Sequence, residues 1–266
     1  MNPVLKNILD NKREEIDHQK RIYSEDALVE AAGKIGARRS LAGAVEHGEE
    51  KLKVIAEIKR SSPSRMLKPT RFNPKEIAIS YEAGGASALS VLTDTRFFCG
   101  HGAFIPIVRE AVSIPVLRKD FVIDKYQITE AAALGADAIL LMALNFENTD
   151  ALGELYHHAL SLGLEVLLEI HSEKEWEKVA ALDPKLVGIN NRDFLSPELA
   201  TDIMTTIGLA PRLPADVVII SESGISSPED IAKLSRAGAR GFLIGSAFMI
   251  HDDPGAELAR LIAQAS

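Results

Sequence analysis

The sequence predicts an α/β fold, a closed (β/α)8 (TIM) barrel with an N-terminal helical extension. Three observations support this prediction. The chain has 266 residues, which suits one barrel of this kind. From residue 53 onward, short apolar runs alternate with helical patterns, and the apolar runs number eight. Eight strands with a helix after each favour a closed barrel, whereas about five or six would favour an open doubly wound sheet.

The apolar runs are rich in β-branched residues and almost continuously hydrophobic, which is typical of parallel strands buried on both faces. The predicted strands are Lys53–Lys59, Ser87–Leu92, Pro115–Lys119, Asp137–Met142, Glu165–Ile170, Leu186–Asn190, Val217–Ser221 and Gly241–Gly245.

Helical patterns fill the intervals between these strands. The clearest are Pro74–Ala83, Tyr126–Leu134, Thr149–Leu162, Glu173–Ala181 and Pro228–Ala237. Asn73 and Ser227 each precede a proline, so each places a capping side chain before a first-turn proline. Several patterns end in glycine: Gly84, Gly135, Gly163 and Gly238. The sequence Gly-Ala-x-Ala/Gly after three of these helices is a weak internal repeat, in which a helix stop leads into a buried strand.

The first 50 residues stand outside the alternating pattern, and we expect one domain over 1–266 with 1–50 as a helical extension. Asn2-Pro3 is a helix start, and Val4, Leu5, Ile8 and Leu9 share one helical face. The charged stretch that follows, DNKREEIDHQKR, predicts a solvated face. The pattern leaves open whether the extension covers one end of the barrel or lies at its periphery.

Composition excludes several classes of function. The formal net charge of -8 argues against a nucleic-acid partner, although an anionic small molecule can still bind where positive groups converge. No apolar signal core and no membrane-length apolar run is present, so we expect a cytoplasmic protein with no membrane partner. The single cysteine, Cys99, cannot form an internal disulfide, and no Cys/His spacing resembles a zinc site.

Charged and amide side chains occur where apolar strands end, which is where this fold places its active site. They are Glu57, Lys59, Lys119, Glu169, Asn190 and, just beyond their strands, Arg192 and Glu222. Any one of them fits a strand end that meets water. The barrel brings the whole set around one mouth, however, so the set predicts a shared site in which Lys and Glu act as acid and base.

Two Gly-Ser combinations add a second signal at this mouth. Ser223-Gly224 follows the seventh strand and Gly245-Ser246 follows the eighth. Glycine lets an anion approach backbone N–H groups, and this is where barrels often hold a phosphate. Phe97, Phe98 and Phe121 lie in loops near the mouth, where they either stack on a planar substrate or pack against the rim.

Eight motifs, one for each strand and in chain order, resemble the indole-3-glycerol phosphate synthase family. They are AEIKRSSPS (56–64), SVLTDTRFFCG (90–100), VLRKDFVID (116–124), GADAILL (135–141), LLEIH (167–171), GINNRDF (188–194), SESGI (221–225) and LIGSAFM (243–249). The match covers the whole barrel, and the extension fits as well. Two departures stand out: SPSRM replaces a frequent SPSKG in the first loop, and His101 replaces a frequent serine, a change that we expect to be local.

The resemblance implies a carbon–carbon lyase of tryptophan biosynthesis that uses no cofactor or metal. Its reaction closes an indole ring on 1-(2-carboxyphenylamino)-1-deoxyribulose 5-phosphate, releasing carbon dioxide and water. We expect a monomer, with association with other tryptophan-pathway enzymes left open.

By the same resemblance, Lys119 is the general acid for ring closure and Glu169 is the acid/base partner in dehydration. Lys59 pairs with the substrate carboxylate and is a second candidate proton donor, while Glu57 and Asn190 position these groups. The remaining matches contact substrate or border the site: Ser62, Ser223, Leu92, Phe98, Phe121, Leu140, Arg192, Glu222, Gly224, Gly245 and Ser246.

Two alternatives remain beside this reading. One is another phosphate-binding barrel enzyme, such as phosphoribosylanthranilate isomerase, in which Cys and Asp would be expected at strand ends; here the strand ends carry Lys and Glu. The other is a non-catalytic barrel that binds a phosphorylated metabolite. Binding alone does not require the set of Glu57, Lys59, Lys119 and Glu169.

Overall fold

The computed structural model describes residues 3–46, 52–62, 65–67, 72–196 and 198–265. Eight parallel strands close into a barrel in the order β1-β4-β5-β6-β7-β8-β9-β10, with β10 pairing back to β1. A two-residue antiparallel hairpin, β2–β3, follows β1. The strands are β1 Val54–Ile58, β2 Ser61–Ser62, β3 Arg65–Met66, β4 Ala88–Leu92, β5 Val116–Lys119, β6 Ala138–Met142, β7 Glu165–Ile170, β8 Leu186–Asn190, β9 Val218–Glu222 and β10 Gly241–Ile244. Each predicted barrel strand is confirmed to within one residue at either end.

The helices follow the predicted alternation. They are α1 Pro3–Ile22, α2 Glu25–Gly33, α3 Leu41–Glu46, α4 Pro74–Ala83, α5 Thr95–Phe98, α6 Phe104–Ala111, α7 Lys125–Leu134, α8 Thr149–Ser161, α9 Glu173–Val179, α10 Met204–Leu209, α11 Pro228–Arg236, α12 Ser246–Met249 and α13 Pro254–Ala265. The predicted caps are confirmed: the Asn73 side chain accepts from the first backbone N–H groups of α4, and Ser227 forms a capping box with Asp230. In the three copies of the internal repeat, a glycine with a left-handed backbone conformation lies between the helix and the next strand: Gly85, Gly135 and Gly238.

Strand alternation separates two apolar layers and points every second side chain into the barrel. Ile55, Leu117, Leu167, Ile220 and Leu243 belong to the inner cluster, whereas their chain neighbours pack outward against the helices. The side chains two residues beyond these, at the carboxyl ends of the strands, also point into the barrel. There the inward residues are Glu57, Leu92, Lys119, Met142, Glu169, Asn190, Glu222 and Gly245.

The N-terminal extension reaches both ends of the barrel. Near the carboxyl end, α1 buries Leu5, Ile8 and Leu9 in the inner apolar cluster. The chain then runs as α2 along the outside of α7. At the amino end, Ser40 donates to the Glu165 carboxylate at the start of β7 (2.7 Å), just before α3. The extension is therefore not peripheral.

Part of the prediction for the charged stretch is wrong. Lys12 is only 3% exposed, because its ammonium group lies between Asp94 and Asp120 in the loops after β4 and β5. The Nζ–Oδ distances are 3.0 and 2.9 Å, and Glu15 adds a third carboxylate at 2.7 Å. Because nearby carboxylates compensate its charge, Lys12 can be buried although the segment around it is highly polar.

The described helices include none that is long and apolar enough to cross a membrane.

Candidate active site

A cavity of about 430 Å³ opens at the carboxyl ends of the strands. The structure brings fourteen of the sequence-predicted site residues to its wall: Glu57, Lys59, Leu92, Phe98, Lys119, Phe121, Leu140, Glu169, Asn190, Arg192, Ser223, Gly224, Gly245 and Ser246. Glu222 is fully buried and lies against Lys119, one layer behind the wall. The Ser62 side chain, and Pro63 and Ser64 of the departing first-loop motif, fall outside the described residues.

Two lysines and two glutamates form a continuous ion cluster on the cavity floor. Lys119 Nζ lies 2.9 Å from Glu222 Oε2 and 3.5 Å from Glu57 Oε2. The other Glu57 oxygen pairs with Lys59. Glu57, Lys119 and Glu222 belong to β1, β5 and β9, and Lys59 directly follows β1, so inward alternation brings the four groups together.

The cluster fixes the charges of its members. Burial raises the pKa of Glu57, but the ammonium groups of Lys59 and Lys119 outweigh burial and lower this pKa to about 2. Burial lowers the pKa of Lys119, yet the carboxylates of Glu222, Glu57 and Glu169 together raise it above its ordinary value. Lys119 is therefore held as an ammonium ion at neutral pH.

Glu222 behaves differently from Glu57. Burial raises its pKa to about 7, and the neighbouring Glu169 carboxylate adds to this rise, although Lys119 opposes it. A glutamate that titrates near neutrality beside a lysine is a common feature of acid–base sites.

Glu169 presents an unused carboxylate to the cavity. Its side chain is 1% exposed, and neither oxygen has a hydrogen-bond partner among the described residues. A buried carboxylate in this state is available to a ligand group or to a proton from one.

Another part of the wall consists of two turns that contain glycine. Ser223 and Gly224 both adopt left-handed backbone conformations, with φ of 68° and 73°. Asn191 holds this turn, because its side-chain amide donates to the Ser223 carbonyl (3.0 Å). Gly245 precedes α12, and a Cβ there would lie 2.5 Å from Glu57 Oε1, so only glycine keeps the turn against the cluster.

Aromatic side chains form a third part of the wall. The rings of Phe98 and Phe121 are 6.1 Å apart and tilted by 41°. Asp94 holds the helix that carries Phe98, because its Oδ1 accepts from the N–H groups of Phe97 (2.7 Å) and Phe98 (3.2 Å). The position of Phe98 in the cavity wall thus depends on Asp94, whose carboxylate also pairs with Lys12.

Sequence reasoning missed several residues at this site. Lys12, its ion pair with Asp94 and the holding role of Asn191 have no local signal, because the partners in these contacts are distant in the chain. Other apolar and hydroxyl residues at the cavity were also missed. Met142 ends β6, and the others lie beyond the barrel strands: Leu67, Phe194, Leu199, Thr201, Ile225, Ser226 and Ile250. His101 affects its own loop, as expected: its Nδ1 accepts from Ala103 N (3.1 Å) and its ring packs against Phe104.

The barrel and this cavity together define a (β/α)8 enzyme whose acid and base groups stand at the carboxyl ends of the strands. Comparison with known proteins gives the family. The family model described as indole-3-glycerol phosphate synthase matches residues 5–261. An indole-3-glycerol phosphate synthase of Bordetella pertussis (strain Tohama I) is 43% identical over 265 residues, covering 99% of this chain and all of the relative. The chain belongs to the indole-3-glycerol phosphate synthase family.

Two solved structures share the fold at low identity. The thiamine phosphate pyrophosphorylase from Pyrococcus furiosus has a TM-score of 0.57 at 15% identity, covering 85% of this chain and 99% of that one. A structure described as "Native KDPGal structure" has a TM-score of 0.56 at 17% identity, covering 82% and 96%. These likenesses concern the barrel alone.

The family gives the activity. The enzyme is a carboxy-lyase of tryptophan biosynthesis that forms indole-3-glycerol phosphate by ring closure, decarboxylation and dehydration. This decides against the isomerase and the non-catalytic barrel that the sequence left open.

Proposed function

We propose that this chain carries out the family's reaction with Lys119 as the general acid of ring closure. The observation that carries this proposal is the position of Lys119 Nζ, held at the cavity between Glu222 and Glu57. Ring closure requires an aromatic carbon, a weak nucleophile, to attack a carbonyl carbon. A proton from the Lys119 ammonium group to the carbonyl oxygen makes that carbon electrophilic enough.

Two anchors bend the substrate for this attack. The turns at Ser223-Gly224 and Gly245-Ser246 take the phosphate, with the backbone exposed by glycine. Lys59 takes the carboxylate of the anthranilate ring, while Leu92, Phe98, Phe121 and Leu140 enclose the ring itself. Holding both ends of one molecule brings the reacting carbons together and removes the entropic cost of their meeting.

Glu169 is the base of the final dehydration in this proposal. After carbon dioxide leaves, a hydroxyl group must depart with a proton and a neighbouring carbon must lose one. Lys59 or Lys119 supplies the first proton, and Glu169 accepts the second, since its oxygens face the cavity without another hydrogen-bond partner in the described part of the chain. Glu57 holds both lysines, Asn190 and Arg192 border the substrate hydroxyl groups, and Ser62 is a further substrate contact.

An activity assay tests the proposal as a whole. Purified protein given the ribulotide substrate, without added metal, should produce indole fluorescence. A substrate analogue without the phosphate should show a much higher KM, because the glycine turns then have no anion to bind. Substrate binding without any fluorescence would point to a non-catalytic barrel.

The variant Glu169→Gln tests the base assignment. Gln keeps the shape of the side chain and cannot accept a proton, so we expect dehydration to slow by at least about 100-fold while ring closure continues. Single-turnover mixing followed by quenching and chromatography should show a ring-closed intermediate that accumulates. Glu173→Gln, on the solvent face of α9, is the matched control and should form product at the wild-type rate. If Glu169→Gln stops ring closure itself, the base role is misassigned.

We further propose one domain over residues 1–266, with 1–50 as its extension, acting as a monomer in the cytoplasm on a phosphorylated small molecule. The extension shares apolar and ionic contacts with the barrel, which supports one cooperative unit. A single unfolding transition and a sedimentation mass of one chain would agree with this. Association with other tryptophan-pathway enzymes is open to the same sedimentation measurement on mixtures.

A further inference from the structure

His171 stands behind Glu169, between that side chain and a second buried glutamate. Its Nε2 lies 3.4 Å from Glu169 Oε1, and its Nδ1 lies 3.2 Å from Glu175 Oε2. All three side chains are nearly inaccessible, with exposures of 11%, 1% and 10% for His171, Glu169 and Glu175. None of the chemistry described above uses His171 or Glu175.

The start of α9 holds this arrangement in place. Ser172 caps the helix by accepting from Glu175 N (3.3 Å), and Glu175 Oε2 accepts in return from the backbone N–H of His171 (2.8 Å). The ring of Phe194 stands edge-on to the imidazole, with centroids 5.7 Å apart. Because Glu175 occupies Nδ1, the ring directs Nε2 toward Glu169.

Three atoms at this contact are without a hydrogen bond among the described residues. Neither His171 Nε2 nor either oxygen of Glu169 has a hydrogen-bond partner within the described residues. At 3.4 Å the distance between His171 Nε2 and Glu169 Oε1 is longer than a strong hydrogen bond, and a small rotation of either side chain brings the two atoms within hydrogen-bond distance. A histidine that served packing alone would not need a free nitrogen directed at the proposed base.

Among the described residues, the charged groups that raise the pKa of His171 are carboxylates, and the nearest cation of the cluster, Lys119, is paired with Glu222. Glu169 faces it from its own strand, Glu175 from α9 and Glu222 from β9, while Phe194 offers an uncharged ring. Burial lowers the pKa of His171, but the hydrogen bond to Glu175 and the neighbouring negative charges outweigh burial and raise it overall. The environment thus favours a proton on this ring.

We propose that His171, oriented by Glu175, is a positioning and proton-relay residue that restores Glu169 after each dehydration. The proposal rests on the assignment of Glu169 as the base. In dehydration Glu169 takes a proton from a substrate carbon, the C–H electron pair forms the ring double bond, and the hydroxyl leaves as water with a lysine proton. The O–H bond of Glu169 then breaks as an N–H bond forms on Nε2. The imidazolium, between Glu169 and Glu175, releases its proton to solvent when product departs.

The relay predicts how the rate depends on pH. His171 must be neutral to accept a proton, so dehydration should slow as the pH falls through the pKa of His171. Removing the charge of Glu175 removes a cause that raises this pKa, so in Glu175→Gln the acid limb of the pH profile should move down by about one pH unit. His171→Gln cannot titrate, so that limb should disappear and the rate should fall about 100-fold, with KM nearly unchanged.

The experiment measures product formation in single turnovers from pH 5 to 9 for the wild type and both variants. Glu177→Gln, a charge-neutralising change on an exposed position of α9, is the matched control and should follow the wild-type profile. Thermal unfolding of each variant checks the fold, because a merely structural histidine would lower Tm and leave the acid limb in place. An acid limb at the same pH in the wild type, Glu175→Gln and His171→Gln would overturn the relay.

The outcome for Glu169→Gln separates the two proposals. Slow dehydration in that variant, together with an unchanged acid limb in the two relay variants, rejects the relay and keeps the base. Normal dehydration in Glu169→Gln rejects the base assignment, and the relay with it.

Discussion

Replacing Lys119 with Ala is expected to lower kcat about 1,000-fold, within the range that a general acid contributes, while the barrel stays folded. The variant loses the only proposed donor that is held directly between two carboxylates of the floor. Ring closure then proceeds without protonation of the carbonyl oxygen. Steady-state indole fluorescence gives kcat and KM, and KM should change much less than kcat, because Lys59 and the glycine turns still hold the substrate ends.

The fold should tolerate this loss because Glu222 can neutralise itself. Its pKa is already raised to about 7 beside Lys119, and without the ammonium group burial raises it further, so Glu222 binds a proton at neutral pH. Lys125→Ala, which removes an exposed lysine paired with Glu154, serves as the control and should retain full activity. Turnover of Lys119→Ala within tenfold of the wild type would rule out Lys119 as the acid of ring closure.

The variant Lys12→Met is expected to lower the free energy of unfolding by about 3–5 kcal/mol, the usual cost of removing one partner from a buried ion pair. Met has a similar length and fills the space, but Asp94 and Asp120 then lie buried without their shared cation. Urea unfolding at pH 7, followed by circular dichroism, measures the difference. Lys6→Met, at an exposed position of the same helix, should change stability by less than about 0.5 kcal/mol.

The pH dependence of this difference has a definite sign. Burial raises the pKa of Asp120, but Lys12 and Arg118 outweigh burial and lower it to about 2, below its value in the unfolded chain. The stabilisation by ionised Asp120 is therefore complete above about pH 4 and lost as the pH falls toward 2. Burial raises the pKa of Asp94, the other partner of Lys12, so Asp94 takes up its proton at a higher pH than Asp120 does. The difference in unfolding free energy between wild type and Lys12→Met should therefore narrow as the pH falls toward 2. A gap of constant size would contradict the ionic origin of the effect.

The same variant should also weaken substrate binding. Asp94 holds the helix that carries Phe98, and Asp120 directly follows Lys119, so both loops depend on the cation between them. We expect KM to rise more than kcat falls, since the aromatic wall moves while the acid itself remains.

Strands, caps and the ring of inward residues were accessible from the sequence because each depends on local rules. A buried parallel strand must be apolar throughout, and a period of two then places Glu57, Lys119 and Glu169 on the inside. The internal glycine repeats were visible for a similar reason, because a left-handed residue ends the helix before the next strand at Gly85, Gly135 and Gly238.

The contacts between distant segments were not accessible. Lys12 meets Asp94 and Asp120 only when the chain has folded, and a charged residue in a charged stretch carries no mark of burial. His171, Glu169 and Glu175 are close in the chain. Their proposed role depends on the orientation of the imidazole ring, which the sequence motif does not specify. The sequence predicts which groups reach the mouth, but not how they share protons.

The N-terminal extension has a consequence for barrel engineering. α1 contributes Lys12 to the loops after β4 and β5, and the segment before α3 ties into the start of β7, so one strap of chain is fastened at both ends of the barrel. If the loops after β4 and β5 were grafted onto another scaffold, Asp94 and Asp120 would lose the Lys12 ammonium group with which they pair. A working chimaera has to transfer Lys12, Asp94 and Asp120 as a single unit, and a circular permutant should keep α1 joined to the strap that follows it.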